Sequence, residues 1–129
     1  MTIILLAENR KLDLLENFCV AYKNLLKKHT LVSLSHLADS LSRASGLDVI
    51  GIHTDVNASI NHFAAKAEYN EIDAVINLQD PARTDYDLAN VLMKACDKNN
   101  IPYASNIATA EILVLAIDRG DLDWRELIN

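Results

Sequence analysis

Carboxylate and imidazole side chains recur directly behind short apolar segments of this chain. Glu8 follows the apolar run that opens the chain, His36 and His53 follow the next two runs, and Asp55 and Asp80 lie close behind similar segments. Histidine and carboxylates are common general acids and bases, because their pKa values lie near neutral pH or can be moved there. They lack the fixed spacing of a metal motif, so we expect no metal or cofactor and interpret the two histidines as exposed loop residues at a rim. An acid–base pair or a metal site in an acidic cleft is the alternative.

The elements that must position these side chains alternate between two patterns. Continuous apolar runs predict buried strands, and apolar residues at helical spacing predict the helices that cover them. The predicted strands span 2–7, 30–34, 48–52, 73–78 and 101–104, and the predicted helices span 10–28, 36–44, 57–69, 84–98 and 107–117. Strands that are each followed by a helix predict an α/β fold, a single-domain three-layer sandwich with a five-stranded parallel sheet.

Ligands of such sheets bind beyond the carboxyl ends of the strands, where the strand order reverses. The polar residues just after the predicted strands are therefore the site candidates. They are Glu8, Asn9, Ser35, His36, His53, Thr54, Asp55, Asp80, Arg83, Ser105 and Asn106. Helix capping is the alternative role for Asn9, Ser35, Thr84 and Asn106, because each precedes a predicted helix.

Glycine is scarce in this chain, and its positions exclude whole classes of site. The three glycines, Gly46, Gly51 and Gly120, cannot form a G-x-G-x-x-G dinucleotide loop or a Walker A loop.

The formal net charge is −6, and no basic stripe is interleaved with aromatic residues, so we expect no nucleic-acid partner.

Targeting and domain signals are few. The apolar run at 2–7 is too short to span a bilayer and lacks the features of a signal peptide, so we expect no membrane partner. Cys19 and Cys96 have no metal-type spacing and predict buried free thiols in a cytoplasmic protein. We expect one domain over 1–120 and a tail over 121–129 that packs on the domain or on a partner subunit.

Four segments resemble methylglyoxal synthases, in the order in which that family has them. The stretch 100–110, N-I-P-Y-A-S-N-I-A-T-A, resembles N-I-P-x-A-T-N-x-A-T-A, and S-R-A-S-G at 42–46 resembles S-R-A-T-G. Residues 72–81 resemble I-D-x-x-I-x-x-x-D-P, and the opening strand is similar to the family's first strand, which ends in A-H-D. The resemblance covers nearly the whole chain and implies the family's parallel sheet and its homo-oligomeric assembly.

The family's catalytic motifs fall on other residue types here. The aspartate that serves as the base falls on Ile60, and the histidine that polarises the substrate carbonyl falls on Thr84. The A-H-D motif falls on 7–9, and its lysine falls on Leu12, beside Lys11, which we add to the ligand-binding candidates. Isoleucine cannot take a proton, and a threonine hydroxyl is a weak substitute for imidazole.

The family's phosphate loop is also altered. It falls on residues 34–38, which contain no glycine, although a backbone anion nest needs glycine conformations. A second phosphate contact of the family falls near Asp55, whose charge would oppose an anion by about 4 kcal/mol at ~4 Å and an effective dielectric constant of 20.

These changes predict a diverged methylglyoxal synthase-like domain that does not catalyse the family reaction. It would act as a binding, regulatory or assembly module and would form a homo-oligomer. Its ligand would be a small anionic or polar metabolite. One alternative is an active synthase with a rearranged site, in which Asp55 or Asp87 is the base and His36 or His53 is the electrophile. A second alternative is a structural subunit whose tail around Trp124 binds another protein.

Overall fold

Five parallel strands form the centre of the fold. The structure is a computed structural model that describes residues 1–83 and 90–127, apart from the side chains of Val56 and Asn57. The strands are β1 (Thr2–Ala7), β2 (Thr30–Leu34), β3 (Val49–Ile52), β4 (Ala74–Leu78) and β5 (Tyr103–Ala104). Their order is β3-β2-β1-β4-β5, and every neighbouring pair is parallel. The predicted fold class is confirmed.

Helices connect the strands and cover both faces of the sheet. They are α1 (Leu12–Ala21), α2 (Lys23–Leu26), α3 (Ser35–Ser45), α4 (Val56–Glu68), α5 (Val91–Lys98) and α6 (Ile107–Arg119), with 3-10 helices at Asn9–Lys11 and Asp123–Leu127. The single helix predicted at 10–28 is divided, because Tyr22 leaves the helical region with φ −106° and ψ 21°. The predicted helix at 84–98 is described only from Val91, and its first part lies outside the described residues.

Two apolar cores lie on opposite faces of the sheet. Successive side chains of a strand point to opposite faces, so Ile3 and Leu5 of β1 join one core while Ile4 and Leu6 join the other. The first core contains residues of α1, α3 and α6, and the second contains residues of α4 and α5. Burial of β1 on both faces explains why its sequence is a continuous apolar run.

The strand order reverses between β1 and β4. From β1 the chain continues to β2 and β3 on one side, whereas β4 and β5 lie on the other side. Ala7 is in register with Leu78, and the Glu8 amide donates to the Leu78 carbonyl at 3.1 Å. The residues that follow β1 and β4 therefore leave the sheet side by side, where open parallel sheets bind ligands.

A buried arginine fixes the C-terminal segment beside the amino ends of β4 and β5. The Arg125 side chain is fully buried. It donates to the carbonyls of Asn99, Asn100 and Ile72 at 3.1, 3.0 and 3.1 Å, and to Asn70 Oδ1 at 2.6 Å. Sequence reasoning considered Trp124 in this tail and missed Arg125, because a single arginine gives no periodic signal. In the described part of the chain, no helix is long and apolar enough to cross a membrane.

Candidate functional site

An open cleft of about 670 Å³ lies over the carboxyl ends of β1, β2 and β4, at the point where the strand order reverses. One part of its wall is apolar and comes mainly from residues of the α4 and α5 core. The other part is polar and charged. The lining residues are Leu6, Ala7, Glu8, Asn9, Arg10, Leu34, His36, Leu37, Ile60, Asn77, Gln79, Asp80, Arg83, Asn90 and Val91.

Two ion pairs join the loops that follow β1 and β4. In one pair the carboxylate follows β1, and in the other it follows β4. Glu8, after β1, lies 2.7 Å from Arg83 Nη1, after β4, in an ion pair that lacks hydrogen-bond geometry. Arg10 Nε lies 3.7 Å from Asp80 Oδ2. Asp80 is further held by the Ala82 amide, which donates to Oδ1 at 3.0 Å. Each of the two loops thus contributes one carboxylate and one guanidinium to the cleft.

A neutral hydrogen-bond network lies beside these charges. The Tyr103 hydroxyl accepts hydrogen bonds from Asn77 Nδ2 at 2.9 Å and from Asn90 Nδ2 at 3.0 Å. Burial raises the pKa of the Tyr103 phenol, and the two asparagine hydrogen bonds and the Arg83 charge oppose that rise. The phenol is therefore neutral at pH 7 and orders two amides that line the cleft.

Part of the predicted site comes together in this cleft. Glu8, Asn9, His36, Asp80 and Arg83 all line it. Asn9 belongs to a 3-10 helix whose start carries no side-chain cap, so the capping alternative for Asn9 is wrong. The His36 side chain is exposed in the first turn of α3, at the carboxyl end of β2.

Other predicted residues do not line the cleft in the described part of the chain, and several have structural roles. Asp55 caps α4, because its carboxylate accepts from the Ala58 amide at 2.8 Å. Asn106 caps α6 by accepting from the Thr109 amide at 3.0 Å, which confirms the capping alternative for Asn106. Thr54 hydrogen-bonds the buried Ser59 hydroxyl. His53 is an exposed residue beyond β3.

The remaining candidates are placed as follows. Ser35 begins α3 without forming a side-chain cap, so the capping alternative is wrong there. Its Cα would lie 2.8 Å from a Cβ at Gly51, so the absence of a side chain at Gly51 permits this close approach. Lys11 ends the first 3-10 helix, and Ser105 accepts the Gln79 amide through its carbonyl at 3.0 Å. Residues 84–89, which include Thr84 and Asp87, lie outside the described residues.

Sequence reasoning missed four polar residues that line the cleft, Arg10, Asn77, Gln79 and Asn90. It also missed Tyr103, which accepts hydrogen bonds from Asn77 and Asn90. A usable signal existed for Asn77, because it is a polar residue inside the otherwise apolar strand β4. The signal for Tyr103 was weaker, since a tyrosine fits a half-buried strand without any ligand.

This arrangement offers acid–base groups and cations. Among the described residues, no group of three or more His, Cys, Asp or Glu side chains is placed to hold a metal ion. Asp80 and Glu8 can accept protons, His36 can donate a hydrogen bond, and Arg10 and Arg83 can attract an anion. The fold and cleft define a small parallel α/β domain with a charged cleft at its strand-order reversal.

Comparison with known proteins identifies the family. Methylglyoxal synthases from Caldicellulosiruptor saccharolyticus, Thermoanaerobacter sp. (strain X514) and Listeria welshimeri are 41%, 34% and 37% identical to the chain. The alignments cover 100%, 98% and 98% of this chain and 93%, 98% and 96% of those proteins. The chain belongs to the methylglyoxal synthase family. No family model matches it.

A solved structure has the same fold. The crystal structure of methylglyoxal synthase from Elizabethkingia anophelis superposes with a TM-score of 0.77, at 22% identity, over 88% of this chain and 76% of that chain.

The prediction of a domain that does not catalyse the family reaction is wrong. Relatives that match the chain over its full length at 34–41% identity are named as the synthase. The prediction relied on Ile60 and Thr84 at the positions of the family's base and histidine, on the missing glycine loop and on the charge of Asp55. The structure places Arg10 and Arg83 at the cleft, where they can attract an anion without a backbone nest, and it uses Asp55 as a helix cap.

Proposed function

We propose that this chain is an active methylglyoxal synthase, which converts dihydroxyacetone phosphate into methylglyoxal and inorganic phosphate. The full-length similarity to proteins of that name carries the proposal. The cleft at the strand-order reversal supports it, because this cleft combines carboxylates, an imidazole and guanidinium groups.

The reaction needs three chemical operations. A base removes a proton from the hydroxymethyl carbon, which gives an enediolate stabilised by a hydrogen-bond donor at the carbonyl oxygen. The hydroxyl on the deprotonated carbon then gives its proton to the enediolate oxygen, that carbon becomes an aldehyde, the double bond shifts toward the methylene carbon, and phosphate leaves with the electron pair of its carbon–oxygen bond. The resulting enol loses its hydroxyl proton, takes up a proton at its methylene carbon and becomes methylglyoxal, while the proton held by the base returns to the phosphate.

The cleft supplies a group for each operation. We assign the base to Asp80. Its side chain is 13% exposed, compared with 21% for Glu8. The Ala82 amide also donates to Asp80 Oδ1 and fixes the orientation of the carboxylate. His36 is the hydrogen-bond donor to the carbonyl oxygen, and Arg10 and Arg83 bind the phosphate. The active alternative predicted from the sequence had the same role for His36. Its second base candidate, Asp87, stays a prediction.

The test is an assay of purified protein with dihydroxyacetone phosphate, in which methylglyoxal and inorganic phosphate are both measured. Equal amounts of the two products are expected. Asp80→Asn should lower kcat by roughly 10²–10⁴-fold, the usual contribution of a general base. Asp97→Asn, which changes an exposed aspartate on α5, is the matched control and should keep full activity.

Two results would contradict the proposal at different levels. The absence of both products with folded wild-type protein would exclude the synthase activity. Full activity in Asp80→Asn would leave the function intact and move the base to Glu8 or Asp87, which Glu8→Gln and Asp87→Asn then separate.

A further inference from the structure

Asn77 presents a hydrogen-bond acceptor to the cleft from the centre of the sheet. It lies on β4 in register with Leu6 of β1, and its half-buried side chain lines the cleft. Its Nδ2 donates to Tyr103, whereas its Oδ1 accepts no hydrogen bond within the described part of the chain. This oxygen is therefore the acceptor that Asn77 offers to a ligand in the cleft.

Tyr103 fixes the orientation of this amide. Its hydroxyl oxygen accepts from Asn77 at 2.9 Å and from Asn90 at 3.0 Å. Asn90 is itself held, because its Oδ1 accepts from the Met93 amide at 3.0 Å as the cap of α5. The Asn77 amide is thereby tied to the start of α5, and its oxygen stays directed away from Tyr103.

The charges near this network indicate which part of a ligand would lie there. Arg83 lines the same cleft, and its charge acts on the Tyr103 phenol. A ligand phosphate at Arg83 and Arg10 would therefore leave the rest of a short carbon chain within the cleft beside Asn77. A carboxamide oxygen accepts hydrogen bonds, so the group it selects is a hydroxyl and not a second anionic oxygen.

We propose that Asn77 is a specificity-determining residue that binds a hydroxyl group of a short-chain phosphate ester through Oδ1, and that Tyr103 is its positioning residue. The choice of a phosphate ester rests on the proposed function. The selection for a hydroxyl rests on the amide geometry alone.

A pair of non-reacting phosphate esters separates these two parts. Glycerol 3-phosphate carries hydroxyls on a three-carbon chain, and propyl phosphate lacks them; neither has the carbonyl group needed for turnover. Titration calorimetry on the full chain should show that the wild type binds glycerol 3-phosphate roughly 3- to 10-fold more tightly, as one net hydrogen bond predicts. Asn77→Ala should abolish this preference and leave the Kd for propyl phosphate unchanged.

Tyr103→Phe tests the positioning role, because it keeps the ring and removes the acceptor of both amide bonds. It should reduce the preference for the hydroxyl-bearing ester without abolishing phosphate binding. Asn24→Ala and Tyr69→Phe, at exposed positions, are the matched controls and should preserve the wild-type preference. If Asn77→Ala unfolds, Asn77→Leu is measured in its place, since leucine fills a similar volume.

The outcomes distinguish this inference from the proposed function. A preference that depends on Asn77 supports the inference even if dihydroxyacetone phosphate is not converted. Equal binding of the two esters by the wild type, no binding of either ester, or a preference that survives in the Asn77 variants would overturn it.

Discussion

The carboxylate of Glu8 lies 2.7 Å from Nη1 of Arg83. Glu8 follows β1 and Arg83 follows β4, so this contact joins the loops of two neighbouring strands at the strand-order reversal. The contact exists because β1 and β4 are parallel neighbours whose final residues, Ala7 and Leu78, are in register. An anion that binds to Arg83 must therefore share this guanidinium with a carboxylate of the protein.

Neutralising Glu8 should strengthen anion binding. Glu8→Gln removes one negative charge beside Arg83, so we expect the Kd for inorganic phosphate to fall by roughly 3- to 10-fold at low ionic strength. Titration calorimetry measures the change. The control is Glu68→Gln, which removes a carboxylate paired with Lys98 outside the cleft and should not alter the Kd. Weaker phosphate binding in Glu8→Gln would show that Glu8 supports the anion site.

Removing the Arg125 side chain should destabilise the fold substantially. Arg125→Ala leaves the carbonyls of Asn99, Asn100 and Ile72 without their donor and opens a cavity at a fully buried position. We expect the free energy of unfolding to fall by roughly 3 kcal/mol, the scale for removing one partner of a buried charged network. Urea denaturation followed by circular dichroism measures it.

Arg119→Ala provides the comparison for Arg125. Arg119 is exposed and pairs with Asp121 at 2.8 Å, and exposed pairs contribute about 0–1 kcal/mol. Equal losses of stability in the two variants would contradict the role assigned to Arg125.

Both cysteines should resist thiol reagents in the native protein. Burial, together with the nearby Glu16 charge, raises the pKa of the Cys19 thiol to about 12. Burial, with a smaller contribution from Asp97, raises the pKa of the Cys96 thiol to about 11. The reactive thiolate is therefore scarce at pH 8.

A colorimetric disulfide reagent at pH 8 should detect no fast-reacting thiol in native protein and two in urea-unfolded protein, matching the two cysteines of the chain. A fast-reacting native thiol would place one of them in an accessible or locally opening segment.

Acidification should destabilise the protein partly through His29. Burial lowers the pKa of His29 below its usual value, and the positive N-terminus 3.4 Å from its Nδ1 acts in the same direction. The unfolded chain therefore binds more protons than the folded chain as pH falls through the ordinary histidine pKa, so stability declines with decreasing pH in that range.

The variant His29→Gln tests this role. Its Tm should fall less between pH 7.5 and pH 5.5 than the Tm of the wild type. His62→Gln, at an exposed helix position, should follow the wild type. An identical Tm change in wild type and His29→Gln would assign the acid sensitivity to other groups.

Some predictions made from the sequence have no test in the structure or the comparisons. The division into a domain over 1–120 and a tail over 121–129 stays a prediction, as do the homo-oligomeric assembly and the cytoplasmic location.

Local sequence patterns determined the sheet and the family, and they predicted a site at the carboxyl ends of the strands. Continuous apolar runs such as 2–7 require burial on both faces, and parallel strands place Glu8 and Asp80 at one edge. The tertiary structure decided which side chains meet there. Asn77 and Tyr103 are 26 residues apart and come together only because β4 and β5 pair.

The same physical distinction explains the wrong prediction of an inactive domain. Alignment of motifs reports which residue type stands at a position, and it correctly registered the absence of a glycine loop at 34–38. It does not report what a side chain binds in the fold. Asp55 is engaged by the Ala58 amide, while Arg10 and Arg83 reach the cleft from two separate loops. The Asp55 cap is a contact between residues three apart. The meeting of Arg10 and Arg83 depends on the pairing of β1 with β4, which local residue spacing does not encode.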